Sequence, residues 1–212
     1  WEDLIVAGEW KSVRFFKNNS GENFTEVTGQ VFKTDFRGWW YDIEKGDFDN
    51  DGDVDLILGN LGLNYKYQAS EEKPFRIYLN DFDKNTTYDI VLSYKSDDTE
   101  YPVRGRQCSS QQMPLIKEKF KNYNSFASAS LEEIYSDKIL DESLKYEITS
   151  FQSVYLENKD GVFSAKELPY QAQLSNINSI VVKDLDSDGN LDALIGGNLY
   201  NAEVETPRND AS

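Results

Sequence analysis

Histidine is absent from the 212 residues. That excludes imidazole acid–base chemistry, Ser–His and Cys–His nucleophile pairs, and histidine-ligated zinc. Cysteine occurs once, at Cys108, so no internal disulfide can form. No stretch approaches the roughly 20 consecutive apolar residues that a membrane-spanning helix needs. Positive charge is scarce: 22 Lys and Arg stand against 38 Asp and Glu, a formal charge of -16. Such a chain is repelled by a nucleic-acid backbone and by an anionic bilayer surface. Aromatic residues are plentiful, with 13 Tyr, 12 Phe and 4 Trp, and they supply the apolar surface that a disordered acidic tail lacks. The length suits one large domain or two small ones.

The acid is concentrated. Asp47, Asp49, Asp51, Asp53 and Asp55 occupy alternate positions of residues 47–55, with Gly52 among them. Charges so close repel one another unless a cation intervenes. Calcium takes six to eight oxygens at roughly 2.3–2.6 Å, and alternating carboxylates of a tight loop can wrap it. The pattern recurs at Asp81, Asp83, Asn85, Thr87 and Asp89, and again at Asp184, Asp186, Asp188, Asn190 and Asp192. We expect side-chain ligands from loop positions one, three, five and nine, and a backbone carbonyl from position seven (Asp53, Thr87, Asn190). Gly52 and Gly189 stand where the turn asks for positive φ. Thr86 takes that place in the second loop and Asn85 replaces an aspartate, so this loop is expected to bind more weakly or to be held by packing alone. An EF-hand would need glutamate at position twelve and flanking helices. Position twelve is Leu58, Leu92 or Ile195, and the flanks read as strands.

Short apolar or alternating runs at residues 4–8, 12–16, 24–28, 38–43, 56–59, 75–79, 90–94, 151–156, 162–166, 177–182 and 193–197 read as strands separated by turn residues. Residues 106–145 change texture. They suggest a helix near residues 115–120 and another that opens on the capping box of Ser130 and Glu133 and reaches about Ile139. The first and third loops share their flanks, including Gly59-Asn60 and Gly197-Asn198, and the turns at residues 18–23 and 157–161 match each other. A repeated unit of about four short antiparallel strands predicts an all-β fold, a β-propeller of four-stranded blades spanning residues 1–212 with a helical insertion at about 106–145. Only about three blade-like units are countable, against the four to eight of a closed propeller. Asp3-Leu4-Ile5-Val6 also parallels Asp55-Leu56-Ile57-Leu58, as though Asp3 closed a loop begun earlier. The expectation is therefore a partial propeller belonging to a larger polypeptide.

These loops and their flanking strands resemble the FG-GAP (VCBS-type) repeats of integrin α-subunit propellers. Gly38-Trp39-Trp40, residues 46–53, residues 59–64, residues 80–83 and Leu92-Ser93-Tyr94 are similar to large bacterial FG-GAP/VCBS proteins related to cartilage acidic protein, which often carry an ASPIC/UnbV domain. The segment from Pro114 to Tyr135 resembles that family too. The resemblance implies a secreted or surface-exposed, calcium-stabilised propeller.

Two functional readings follow. One is a calcium-stabilised extracellular scaffold or binding module for a protein or glycan. The other is a carbohydrate-active or glycan-binding propeller, in which Trp39, Trp40 and Tyr41 would stack on sugar rings. A glycosidase needs a free carboxylate pair, and the carboxylates here are committed to the loops, so the first reading is preferred.

Overall fold

The computed structural model describes residues 1–202 and 208–210. Strands β1 (Leu4–Val6), β2 (Glu9–Ser12), β3 (Arg14–Asn19) and β4 (Asn23–Glu26) precede one helical turn, α1 (Thr28–Val31). They are followed by β5 (Arg37–Trp39), β6 (Asp42–Gly46) and β7 (Asp55–Gly59). Next come β8 (Phe75–Asn80), β9 (Asp89–Ser96) and β10 (Thr99–Pro102). Five short helices succeed them: α2 (Arg106–Gln112), α3 (Leu115–Lys119), α4 (Tyr123–Ala127), α5 (Leu131–Tyr135) and α6 (Asp137–Asp141). The remaining strands are β11 (Leu144–Ile148), β12 (Val154–Lys159), β13 (Val162–Glu167), β14 (Ser179–Lys183) and β15 (Asp192–Gly196). The chain forms two compact units, one of Trp1–Lys66 with Ser150–Ser212 and the other of Tyr67–Thr149.

In the first unit, β6, β7, β12 and β13 lie side by side as a four-stranded antiparallel sheet. β7 is buried along its whole length, which is why Leu56, Ile57 and Leu58 can run on without a polar break. Successive side chains point to opposite faces. Leu56 and Leu58 pack with Val13, Phe32, Trp40, Val154, Leu156 and Phe163, against which Ile5 of β1 and Phe15 of β3 also rest. Ile57 faces the other way and meets Ile177 and Ile180, with Val182 and Ile195 alongside. The four-stranded sheet is thus the middle layer between the β1–β3–β4 sheet and the β14–β15 pair.

The repeated Gly-Asn pair has a packing reason. A Cβ on Gly59 would lie 2.3 Å from the carbonyl oxygen of Ile177, and one on Gly197 would lie 2.4 Å from that of Asn176. Only glycine lets these backbones approach. Asn60 is fully buried, and all its amide valences are used. Its Oδ1 accepts the N–H groups of Trp39 (3.1 Å) and Leu61 (2.8 Å), and its Nδ2 donates to the carbonyls of Ser150 (3.0 Å) and Gln152 (3.2 Å).

The second unit has its own sheet, ordered β10-β9-β8-β11. Its core joins Tyr78, Phe82 and Val91 to Met113, Ile116, Phe120, Phe126, Leu131, Ile134 and Leu140. The Ser130–Glu133 capping box forms, with Ser130 N–H donating to Glu133 (2.8 Å) and Glu133 N–H to Ser130 Oγ (3.1 Å). The helix it opens is shorter than the sequence suggests. Ser136 adopts φ 69°, which ends α5 and starts α6. Two expected strands also divide. Val13 separates β2 from β3, and Trp40-Tyr41 separates β5 from β6. The sheets are antiparallel and their strands short; among the described residues they do not form a closed ring of blades.

Candidate metal centre

Each acidic loop joins two neighbouring antiparallel strands: β6 to β7, β8 to β9, and β14 to β15. The register is the same in all three. The residue before loop position one pairs with position nine, as Gly46 with Asp55, Asn80 with Asp89, and Lys183 with Asp192. Positions four and six are left-handed in every loop: Asn50 (φ 59°) and Gly52 (φ 96°), Lys84 (61°) and Thr86 (73°), Ser187 (66°) and Gly189 (92°). Thr86 therefore keeps the shape that glycine gives the other two.

That backbone turns its N–H groups inward. The position-two amide donates to the position-nine carboxylate, from Phe48 to Asp55 (3.2 Å), Phe82 to Asp89 (3.2 Å) and Leu185 to Asp192 (2.9 Å). The position-six amide donates to position one, from Gly52 to Asp47 (3.1 Å), Thr86 to Asp81 (2.8 Å) and Gly189 to Asp184 (3.1 Å). The position-five amide donates to position three, from Asp51 to Asp49 (3.3 Å), Asn85 to Asp83 (3.2 Å) and Asp188 to Asp186 (3.1 Å).

The carboxylates of positions one, three and nine converge. Those of Asp47, Asp49 and Asp55 offer oxygens within 4.8 Å of one another, as do Asp81, Asp83 and Asp89, and Asp184, Asp186 and Asp192. Asp51 and Asp188, at position five, are not among these groups. Each accepts the N–H of position seven, from Asp53 (2.9 Å) and Asn190 (2.8 Å), and Asn85 does the same for Thr87 (2.7 Å). The asparagine oxygen thus reproduces the turn bond of the aspartates. The Asp53 carboxylate takes the N–H of Asp160 (2.9 Å). The side chain of Asn190 accepts from Asn50 (2.7 Å), so the first and third loops touch.

The closing aspartates differ in their surroundings. Asp55 is fully buried and accepts also the Tyr155 hydroxyl (2.6 Å) and the Asn158 N–H (2.8 Å). Asp89, likewise buried, accepts from Gln112 of α2 (3.1 Å). Asp192 is half-buried. Tyr155, Asn158 and Gln112 carry no mark of this role in their own neighbourhoods of sequence. The one available signal is the hairpin repeat. Asn158 Nδ2 donates to the Val54 carbonyl (3.1 Å) and its Oδ1 accepts from Gly161 (2.9 Å). Asn18 makes the same bonds to Glu2 (2.8 Å) and Gly21 (2.7 Å), and its N–H donates to Asp3 (2.8 Å).

Loss of hydration and the charges of Asp51, Asp55 and Glu157 hold the Asp49 carboxyl above its ordinary value. Burial does the same for Asp89, against the lowering effect of the Gln112 bond. Burial first, then the bond to Asp55, pushes the Tyr155 hydroxyl well up, so it stays a donor. An ionised carboxylate has about four acceptor sites. Asp55 Oδ2 takes two hydrogen bonds and Oδ1 one, which leaves a lone pair for a cation. The donor set is entirely oxygen, the kind that hard divalent cations take.

The aromatic run near the first loop is used for packing. Trp40 is buried and donates from Nε1 to the Phe36 carbonyl (3.2 Å). Trp39 lies against Trp10 and Phe151, with ring centroids 5.5 Å and 6.2 Å apart.

The fold thus consists mainly of short antiparallel sheets, with acidic loops of one register between neighbouring strands. Residues 1–58, which contain the β1–β3–β4 sheet, β6 and the whole first loop, match the family model of the FG-GAP-like repeat. Neither the curated proteins nor the solved structures offer a match to the chain.

Proposed function

We propose that the chain is a calcium-stabilised part of a β-propeller that serves outside the cell as a scaffold or binding module for a protein or glycan. The supporting observation is the shared loop geometry, in which three separate loops bring positions one, three and nine together in one register. The FG-GAP-like match over residues 1–58 supports the propeller assignment. Asp47, Asp49 and Asp55, and their counterparts in the other loops, would hold the ion, with Asp51, Asn85 and Asp188 completing its oxygen shell. Bound calcium offsets the mutual repulsion of the carboxylates and ties adjacent strands together. Millimolar calcium outside cells would fill even weak sites of this type.

The test is a thermal melt in calcium and in chelator, with calorimetric titration of calcium. At a hundredfold excess over Kd each site adds about 2.7 kcal/mol to stability. We expect a markedly lower melting temperature in chelator and a stoichiometry of three. An unchanged melting temperature together with no calcium heat would sink the proposal.

A further inference from the structure

The second acidic loop is tied to the helices at three points. Asn80, just before position one, donates from Nδ2 to the Ile139 carbonyl (3.2 Å) and to Ser143 Oγ (3.2 Å), and its Oδ1 accepts the Asp81 N–H (2.8 Å). Phe82, at position two, is buried in one core with Met113, Ile116, Leu131 and Ile134, and its ring lies 5.0 Å from that of Tyr135. Asp89, at position nine, takes the Phe82 N–H on one oxygen and Gln112 Nε2 of α2 on the other. Gln112 is itself held, because its Oε1 accepts from Arg104 (2.9 Å), whose carbonyl accepts the Ser109 hydroxyl (3.1 Å). The sister loops are placed differently. Phe48, at position two of the first, packs against Tyr155 of β12 with ring centroids 5.8 Å apart, and Tyr155 and Asn158 of that same strand bond Asp55. Leu185, at position two of the third, is 56% exposed. The second loop also has the fewest carboxylates, three against five in the first and four in the third. Affinity for calcium follows ligand charge, so this loop fills last.

We propose that the second loop is a calcium switch for helices α2 to α6, with Gln112 as the positioning residue that couples the two. The inference rests on the calcium reading above and goes beyond it, since it gives one of the three loops a regulatory part. The oxygens of Asp81, Asp83 and Asp89 lie within 4.8 Å of one another. Without a cation these charges push apart, and buried Asp89 has little water to screen it. Any outward shift of Asp89 strains its bond to Gln112 at the end of α2, and any shift of the Phe82 backbone withdraws a ring from the helical core. A filled loop holds both in place. The helices therefore pack best on the filled loop, and by reciprocity packed helices raise the affinity of that loop. A partner that bears on an outer hydrogen bond of a metal ligand commonly changes affinity 10–100-fold, and Gln112 stands in that position. The first and third loops close on strands, so their filling leaves α2 to α6 unaffected.

The test is hydrogen exchange of the full chain at stepped free calcium, read by mass spectrometry for each loop and for residues 106–141. The helices are expected to gain protection with the midpoint of the second loop. Gln112→Ala should raise that shared midpoint about tenfold or more, with the first and third loops unmoved. Ile116→Ala loosens the helical core without touching a carboxylate, and reciprocity requires it to raise the second-loop midpoint too. Asn85→Asp approaches from the other side. It gives the second loop the residue its sister loops carry, so it should fold, and it should move loop and helices together to lower calcium. Helix protection that ignores calcium while the second loop fills would overturn the coupling, as would a second-loop midpoint indifferent to both Gln112→Ala and Ile116→Ala. A second loop that stays silent while the first and third respond overturns this inference alone. Silence in all three removes the calcium reading with it.

Discussion

Thr86 holds φ 73°, a left-handed backbone that β-branched side chains rarely adopt. Gly52 and Gly189 hold the same position in the sister loops without that cost. Such strain amounts to roughly 1–3 kcal/mol, reduced in a glycine variant by the greater freedom of its unfolded chain. Thr86→Gly should therefore raise stability by about 1 kcal/mol and tighten calcium at the second loop, checked by denaturant unfolding and titration. Glu157 offers a second test. The Lys166 ammonium (2.6 Å), with Lys159 beyond it (3.2 Å), holds the Glu157 carboxyl below its usual value. A depressed carboxylate adds stability above its unfolded pKa and loses that contribution as pH falls through the folded value. Glu157→Gln should lower the melting temperature at pH 7, and the gap should close in acid. At this scale the convergence of positions one, three and nine was legible in their spacing, whereas position five, expected beside them, does not join: Asp51 and Asp188 are not among the grouped carboxylates. The supports of the converging carboxylates were not legible. Tyr155 and Asn158 reach Asp55 across a sheet, from about a hundred residues away, and no local pattern encodes such a meeting.

Strands with an apolar run and a turn at each end were legible as elements, and β7, β12 and β14 lie within or close to the expected limits. Boundaries failed where one residue's backbone overrides a continuous pattern. Ser136 at φ 69° splits an otherwise amphipathic helix. Trp40 leaves its strand so that its indole can enter the core and donate to Phe36. β11 (Leu144–Ile148) starts at the expected end of the helical insertion and was not among the expected strands, because its alternation is masked: Leu144, Lys145 and Tyr146 are all exposed. The Gly-Asn repeat, by contrast, was visible in sequence, and the structure supplies its cause. Gly59→Ala would press a methyl group to 2.3 Å from a backbone oxygen that cannot swing aside. Overpacking of this kind costs about 1–3 kcal/mol. Gly59→Ala should fall in or above that range, whereas Gly8→Ala, where a Cβ meets nothing within 4 Å, should be nearly neutral. Paired denaturation curves of the two variants check this.

For the whole molecule, the arrangement of the chain is the main point. β7 and β12 are hydrogen-bonded neighbours, yet the entire Tyr67–Thr149 unit lies between them in sequence. Such an insertion is tolerable when its two ends are held near each other by the host, because loop-closure entropy then grows only slowly with the length inserted. The host does hold them. Asn60 bonds the carbonyls of Ser150 and Gln152, and Gly62 N–H donates to the Phe151 carbonyl at 2.8 Å. These bonds belong wholly to the first unit, as do the first and third acidic loops. Replacing residues 67–149 with a short Gly/Ser linker should therefore leave a folded protein with one cooperative melt. Its calcium stoichiometry should drop from three to two, since the removed segment carries the Asp81–Asp83–Asp89 group. A truncated chain that melts without cooperativity would show that the first unit depends on the second. A folded one that still takes up three ions would remove the second loop from the set of sites.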